Sequence, residues 1–76
     1  MLEVFKTAYD SEINIYLASF WDAGWEVRIG DEMNGFLAEK RFRDIDKVAP
    51  WVKEQVIIHF PFSAAAKLLS KETDHA

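Results

Sequence analysis

Ile13-Asn14-Ile15-Tyr16-Leu17-Ala18-Ser19-Phe20-Trp21-Asp22-Ala23-Gly24-Trp25-Glu26-Val27-Arg28-Ile29 is the stretch on which the fold turns. Apolar residues alternate on both sides of Asp22-Ala23-Gly24, a loop with an acid at its start and glycine where a left-handed residue closes a bulged turn. That loop sets Trp21 opposite Trp25, Ser19 opposite Val27 and Leu17 opposite Ile29. One hairpin face then holds Ile13, Ile15, Leu17, Trp21, Trp25, Val27 and Ile29. The other carries Asn14, Tyr16, Ala18 and Phe20 beside Glu26 and Arg28. Residues 11–23 also match a helix, with Ile13, Tyr16, Leu17, Phe20 and Trp21 at helical spacing between Ser11 as cap and Gly24 as stop. The β-branched Ile13 and Ile15 and the self-consistent cross-strand pairs favour the strand.

Downstream, Asn34-Gly35 is the dipeptide best suited to a two-residue turn with positive φ at both centres. It returns the chain as a strand from Phe36 to Phe42, with Phe36, Ala38 and Phe42 on the apolar face and Leu37, Glu39 and Arg41 pointing away. Lys40 breaks the pattern and is expected near the sheet rim, where its stem packs and its amine reaches water. Upstream, residues 2–8 offer a further edge strand with poor alternation.

The second half reads as helix. Asp44 or Asp46 caps it, and Pro50 is tolerated close to its start, so a loose first turn leads into a helix to about Phe60. At 100° per residue Val48, Trp51, Val52, Val56, Ile58 and Phe60 form a wide apolar arc, with Lys53, Glu54 and Ile57 opposite. Pro61 ends it. Phe62 and Ser63 then read as staple and cap of a short helix through Leu69, and residues 71–76 as a disordered polar tail after a single domain over 1–70. The expected fold is α+β: a three- or four-stranded antiparallel meander, then one long helix packed on one sheet face and a short C-terminal helix.

Composition narrows the chemistry. The chain has 76 residues, 50% of them apolar and 14% aromatic, with no cysteine and a net charge of −4. A domain this small buries only about 60% of the surface of its unfolded chain, so it depends on its aromatics or on a partner. Without cysteine there are no disulfides, no thiolate nucleophile and none of the common structural zinc sites. Residues 1–10 have neither a basic flank nor a small-residue cleavage site, and no apolar run approaches the ~20 residues of a membrane span, so a cytoplasmic protein with no membrane partner is expected.

Reactive constellations are missing as well. The histidines, His59 and His75, have no paired ligand spacing. The stretches from Asp31 and from Asp44 fail as calcium loops, because Met33 takes the third position of the first and Val48 the fifth of the second. Gly30 to Gly35 has Phe36-Leu37 where a phosphate loop needs Lys-Ser/Thr. Ser63 lies four residues from His59 by sequence alone. Gln55 and His59 fall within the apolar arc of the helix, and each needs a hydrogen-bond partner there. No cofactor, metal or catalytic residue is assigned, and the chain reads as a non-enzyme.

Two surfaces remain. Tyr16 and Phe20 project from the second sheet face beside Glu26 and Arg28, a candidate protein contact. Either the N-terminal segment, with Val4, Phe5 and Tyr9, folds over that face, or another molecule does. Lys40, Arg41, Arg43, Lys47 and Lys53 form the one segment with a basic balance, a candidate nucleic-acid contact that Asp44 and Asp46 interrupt. Asp22-Ala23-Gly24-Trp25-Glu26-Val27-Arg28-Ile29, then Asn34-Gly35, then an acidic-capped helix, resembles the β-β-β-α N-terminal domain of HicB-type antitoxins over about half the chain. It lacks the proline typical of that family after the second strand, and these 76 residues include no DNA-binding domain. The resemblance implies a protein-binding regulatory module. The leading expectation is therefore a small non-enzymatic protein-interaction module, with a protein partner or a second copy of itself. The alternative is a nucleic-acid-associated or antitoxin-like regulator using residues 40–53.

Overall fold

A computed structural model describes residues 2–74. Helix α1 (Leu2–Asp10) leads into a three-stranded antiparallel meander, β1 (Ile15–Phe20), β2 (Gly24–Asp31) and β3 (Gly35–Phe42). A 3-10 turn (Ile45–Lys47), α2 (Val48–His59) and α3 (Ala64–Asp74) follow. The fold is α+β, with β2 in the middle of the sheet.

The expected strand over residues 2–8 is instead α1. Val4, Phe5 and Ala8 recur at helical spacing and pack into the core, while Lys6 and Asp10 pair one turn apart at 3.4 Å. The helix ends where Glu12 takes φ 61° and Ile13 N–H donates back to Ala8 C=O at 3.0 Å, turning the chain into β1. Alpha1 sits against α2, α3 and β1. It is therefore no lid on the second sheet face.

The β1–β2 register differs from the sequence expectation by two residues: Leu17 pairs with Val27, Ser19 with Trp25 and Phe20 with Gly24. Ala23 N–H closes the turn on Phe20 C=O at 2.9 Å, one residue earlier than expected, and Trp21 is left 98% exposed rather than in the core. Gly24 is drawn into β2 because the end of β3 crosses close by. A Cβ there would stand 2.4 Å from Phe42 O. Since the shift is even, Ile15, Leu17, Trp25, Val27 and Ile29 still share one face.

The second turn also differs. Glu32, Met33 and Asn34 separate the pair Asp31–Gly35, a three-residue loop instead of a two-residue one. Gly30 pairs with Phe36 while Ile29 pairs with Ala38, so Leu37 is an extra residue in β3. That bulge moves Phe36 to the face opposite the core, reversing its expected place. Ala38, Lys40 and Phe42 stay on the core face, and Lys40 is exposed on the edge strand, as expected.

Asp44 caps the 3-10 turn, accepting from Asp46 N–H at 2.9 Å, and α2 starts at Val48 with Pro50 in its first turn. Val48, Val52 and Val56 are fully buried; Trp51 meets the Phe42 ring edge-on at 5.8 Å. Ile57 packs on the core and Ile58 is 57% exposed, the reverse of their expected places, because α3 gives α2 a second packing side beyond the sheet. Ser63 caps α3, accepting from Ala66 N–H at 3.0 Å, and Ser11 Oγ accepts from Ala65 N–H at 3.0 Å. Alpha3 runs past Leu69 to Asp74, and residues 75–76, His75 among them, lie outside the described residues.

Gly24 and Gly35 separate two costs of a side chain. At Gly35 (φ +87°) a Cβ meets nothing within 4 Å, so Gly35→Ala bears only the backbone strain, about 1–2 kcal/mol. At Gly24 (φ +97°) the clash with Phe42 O adds to that strain. Urea unfolding should give Gly24→Ala the clearly larger loss, and equal losses would contradict this close approach of β3.

Candidate functional site

All three helices pack, directly or through one another, on the face that carries Val27 and Ile29. By strand alternation the opposite face presents Tyr16, Ala18 and Phe20 from β1, Glu26 and Arg28 from β2, and Phe36, Glu39 and Arg41 from β3. Among the described residues nothing covers it: Tyr16 remains 46% exposed, Phe20 44% and Phe36 37%.

Arg28 organises this surface. It pairs directly with Tyr16 in the ladder, and its guanidinium carbon lies 5.4 Å from the Tyr16 ring centroid and 5.1 Å from that of Phe36. Its Nη2 donates to Glu26 Oε1 at 3.0 Å, and its Nε, shut off from water, lies 3.5 Å from Glu39 Oε2. Arg41 approaches the same Glu26 oxygen at 4.0 Å. The hydrogen bond to Glu26 raises the Arg28 pKa above its ordinary value against the desolvation that lowers it, with the charges of Glu26 and Glu39 adding to the rise. The Arg28–Glu26 pair is half-buried, whereas Glu39 and Arg41 at its margin are open to solvent and add little stability. The effect of these ion pairs is to fix a planar cation between two aromatic rings.

Of the residues singled out from sequence, Tyr16, Glu26 and Arg28 are brought together and Phe20 lies on the same face at the end of β1. Phe36 was missed. Its signal was Gly30, since glycine inside a strand marks a bulge or a close backbone approach. A Cβ on Gly30 would lie 2.5 Å from Gly35 O.

The basic residues do not converge. Lys40 lies on the helix side with Nζ 5.3 Å from the Phe42 ring centroid, and Arg41 is on the aromatic face. Arg43 follows β3 beside Trp25, Lys47 is in the 3-10 turn, and Lys53 is on α2 near Pro50. His59 is exposed and lies 3.2 Å from its partner Gln55, so the two polar groups of the helix arc satisfy each other. Among the described residues no three His, Asp or Glu side chains are placed to hold a metal ion, and no helix is long and apolar enough to cross a membrane. No family model, curated protein or solved structure matches this chain.

Asp31 ties the rim of the site together. Its carboxylate accepts from Asn34 N–H at 2.7 Å and from Asn14 Nδ2 at 2.8 Å, joining the β2–β3 turn to the start of β1. The Asn34 backbone bond first, then the Asn14 amide, hold its pKa below the usual aspartate value. A lowered folded pKa contributes stability that is fully present above the unfolded value of about 3.9 and is lost as pH falls through the folded value. Acid titration of the melting temperature should therefore show a loss below that pH that Asp31→Asn removes, with the variant less stable than wild type at neutral pH. An unchanged acid limb would show that these bonds carry no such linkage.

Proposed function

We propose that this chain is a small non-enzymatic protein-interaction module that works as a homodimer, using the Tyr16 and Phe20 side of its sheet. The observation that carries the reading is the uncovered aromatic face: Tyr16, Phe20 and Phe36 stay open although three helices are committed to the other side. Covering apolar surface is the main favourable term in association, and a core this small has nothing left to cover it with. Arg28 already donates to Glu26 through Nη2, so a second molecule meets that pair with its charge balanced, although Arg28 Nε makes no hydrogen bond.

Sedimentation equilibrium should show a dimer at micromolar concentration. Phe20→Glu should shift it to monomer with its fold intact, because Phe20 is 44% exposed and outside the core. A wild-type monomer at millimolar concentration would overturn the reading.

The alternative, a nucleic-acid regulator acting through Lys40, Arg41, Arg43, Lys47 and Lys53, draws less support, because these residues lie on both sheet faces and on the helical layer. Dispersed cations in a protein of net charge −4 release few counterions at one site. Fluorescence anisotropy with single- and double-stranded probes at physiological salt should give no sub-micromolar binding. A tight complex weakened by replacing Arg41 and Arg43 with alanine would put the alternative first.

A further inference from the structure

The two edges of the sheet differ. The β3 edge carries Glu39, Lys40 and Arg41 and is bent by the Leu37 bulge, two devices that discourage strand pairing. The β1 edge, Ile15-Tyr16-Leu17-Ala18-Ser19-Phe20, has no charge, no proline and no break in its register. Gly30 N–H donates to Asn14 C=O at 2.8 Å, which points the backbone of Asn14 at β2. By antiparallel alternation Tyr16, Ala18 and Phe20 do the same, and Ile15, Leu17 and Ser19 turn their N–H and C=O groups outward.

We infer that two copies join through this edge, antiparallel about a two-fold axis at Ala18, and that Trp21 of each copy fills the recess between α1 and β1 of the other. The inference rests on the homodimer reading above and narrows its contact to the β1 margin of that face, where Tyr16 and Phe20 meet their counterparts while Phe36 stays open. Faces must match across a pairing, and of the registers that allow this, the one centred on Ala18 sets Tyr16 against Phe20 of the second copy, twice. It also pairs the outward-turned Leu17 with Ser19 of the second copy and brings Trp21, in the turn after β1, level with Ile15.

Trp21 is 98% exposed. It is the first residue of the turn after β1, and beside Ile15 at the other end of the strand an open recess of about 620 Å³ is lined by Leu2, Phe5, Tyr9 and Ile13 together with the charged Glu3 and Lys6. No charged side chain of either β1 is brought against a like charge. The two Glu26 residues stand about 14 Å apart across three strand spacings, and each has Arg28 bound. The open parts of Trp21, Tyr16 and Phe20 amount to roughly 400 Å² per copy. With the strand backbones and recess linings of both copies, the contact reaches the ~1,000 Å² that a specific interface needs.

The test compares Trp21→Ser, Ser19→Pro and Phe36→Glu by sedimentation equilibrium, with tryptophan emission followed against concentration. Edge pairing expects Trp21→Ser to weaken the dimer about thirtyfold or more. Ser19→Pro removes an outward N–H without touching the β1–β2 ladder and should leave a folded monomer. Phe36→Glu, on the far strand, should leave the dimer intact, and wild-type emission should shift to the blue on association. A wild-type dimer that ignores Trp21→Ser and Ser19→Pro but is lost in Phe36→Glu overturns the edge geometry and leaves a face-to-face homodimer. A wild-type chain that never associates overturns both readings.

Discussion

Val27 and Ile29 on the middle strand, and Val48, Val52 and Val56 along one side of α2, are all completely shielded from water. These five branched side chains join sheet to helix, and the rest of the molecule is arranged around them. Each buried side chain of this kind is worth about 1.5–3 kcal/mol over its exposed state, which a chain of 76 residues cannot forgo. Alpha1 adds Ala8 and α3 adds Ala65, Ala66 and Leu69 to the same cluster. Small residues let these helices come close, so all three serve one side of the sheet. The cost is that the other side has none. Two aromatic rings there flank a guanidinium with two carboxylates beside it.

The fold class was legible because strand faces depend on parity alone. The β1–β2 register in the structure lies two residues from the one read off Trp21 and Trp25, yet Val27 and Ile29 still point at the helices, since an even shift preserves sides. The second hairpin shows the opposite case. One extra residue at Leu37 reverses Phe36 and nothing beyond it, and no local rule weighs Asn34-Gly35 against the close approach at Gly30. Alpha1 was obscured for a different reason. Leu2 and Tyr9, each 81% exposed, dilute the helical stripe of Val4, Phe5 and Ala8, so that neither period stands out. Ile57 and Ile58 exchanged roles because the wheel assumed one packing partner for α2, and α3 supplies another.

The candidate site was legible to the same degree as the hairpin that bears it. Tyr16, Phe20, Glu26 and Arg28 follow from alternation around the first loop, and the even register shift left them on one side. What sequence could not show was that Arg28 lies over two rings rather than one, because the second ring arrives through the bulge. The basic segment illustrates the limit of linear charge counting. Lys40 and Arg41 are neighbours in sequence but on opposite faces of β3, and the residues that follow leave the sheet for the turn and α2. A run of charge becomes a patch only when the backbone period keeps it on one side.

A three-stranded sheet has two edges, and in this one they are treated unequally. Beta3 combines charge of both signs with a bulge, so another strand pairing there would strand Lys40 against apolar neighbours and break register at Leu37. Beta1 has the composition that such protection normally removes: six uncharged residues, two of them aromatic, in an unbroken ladder. A strand of that kind left open invites aggregation, because its outward N–H and C=O groups accept any extended segment. Two arrangements avoid that outcome, namely a cover from the same chain or a defined partner that uses the same groups. Among the described residues α1 packs on β1 from the helix side of the sheet, leaving Ser19 and Phe20 open. The asymmetry between the edges is thus better explained by an edge reserved for pairing than by an edge left undefended.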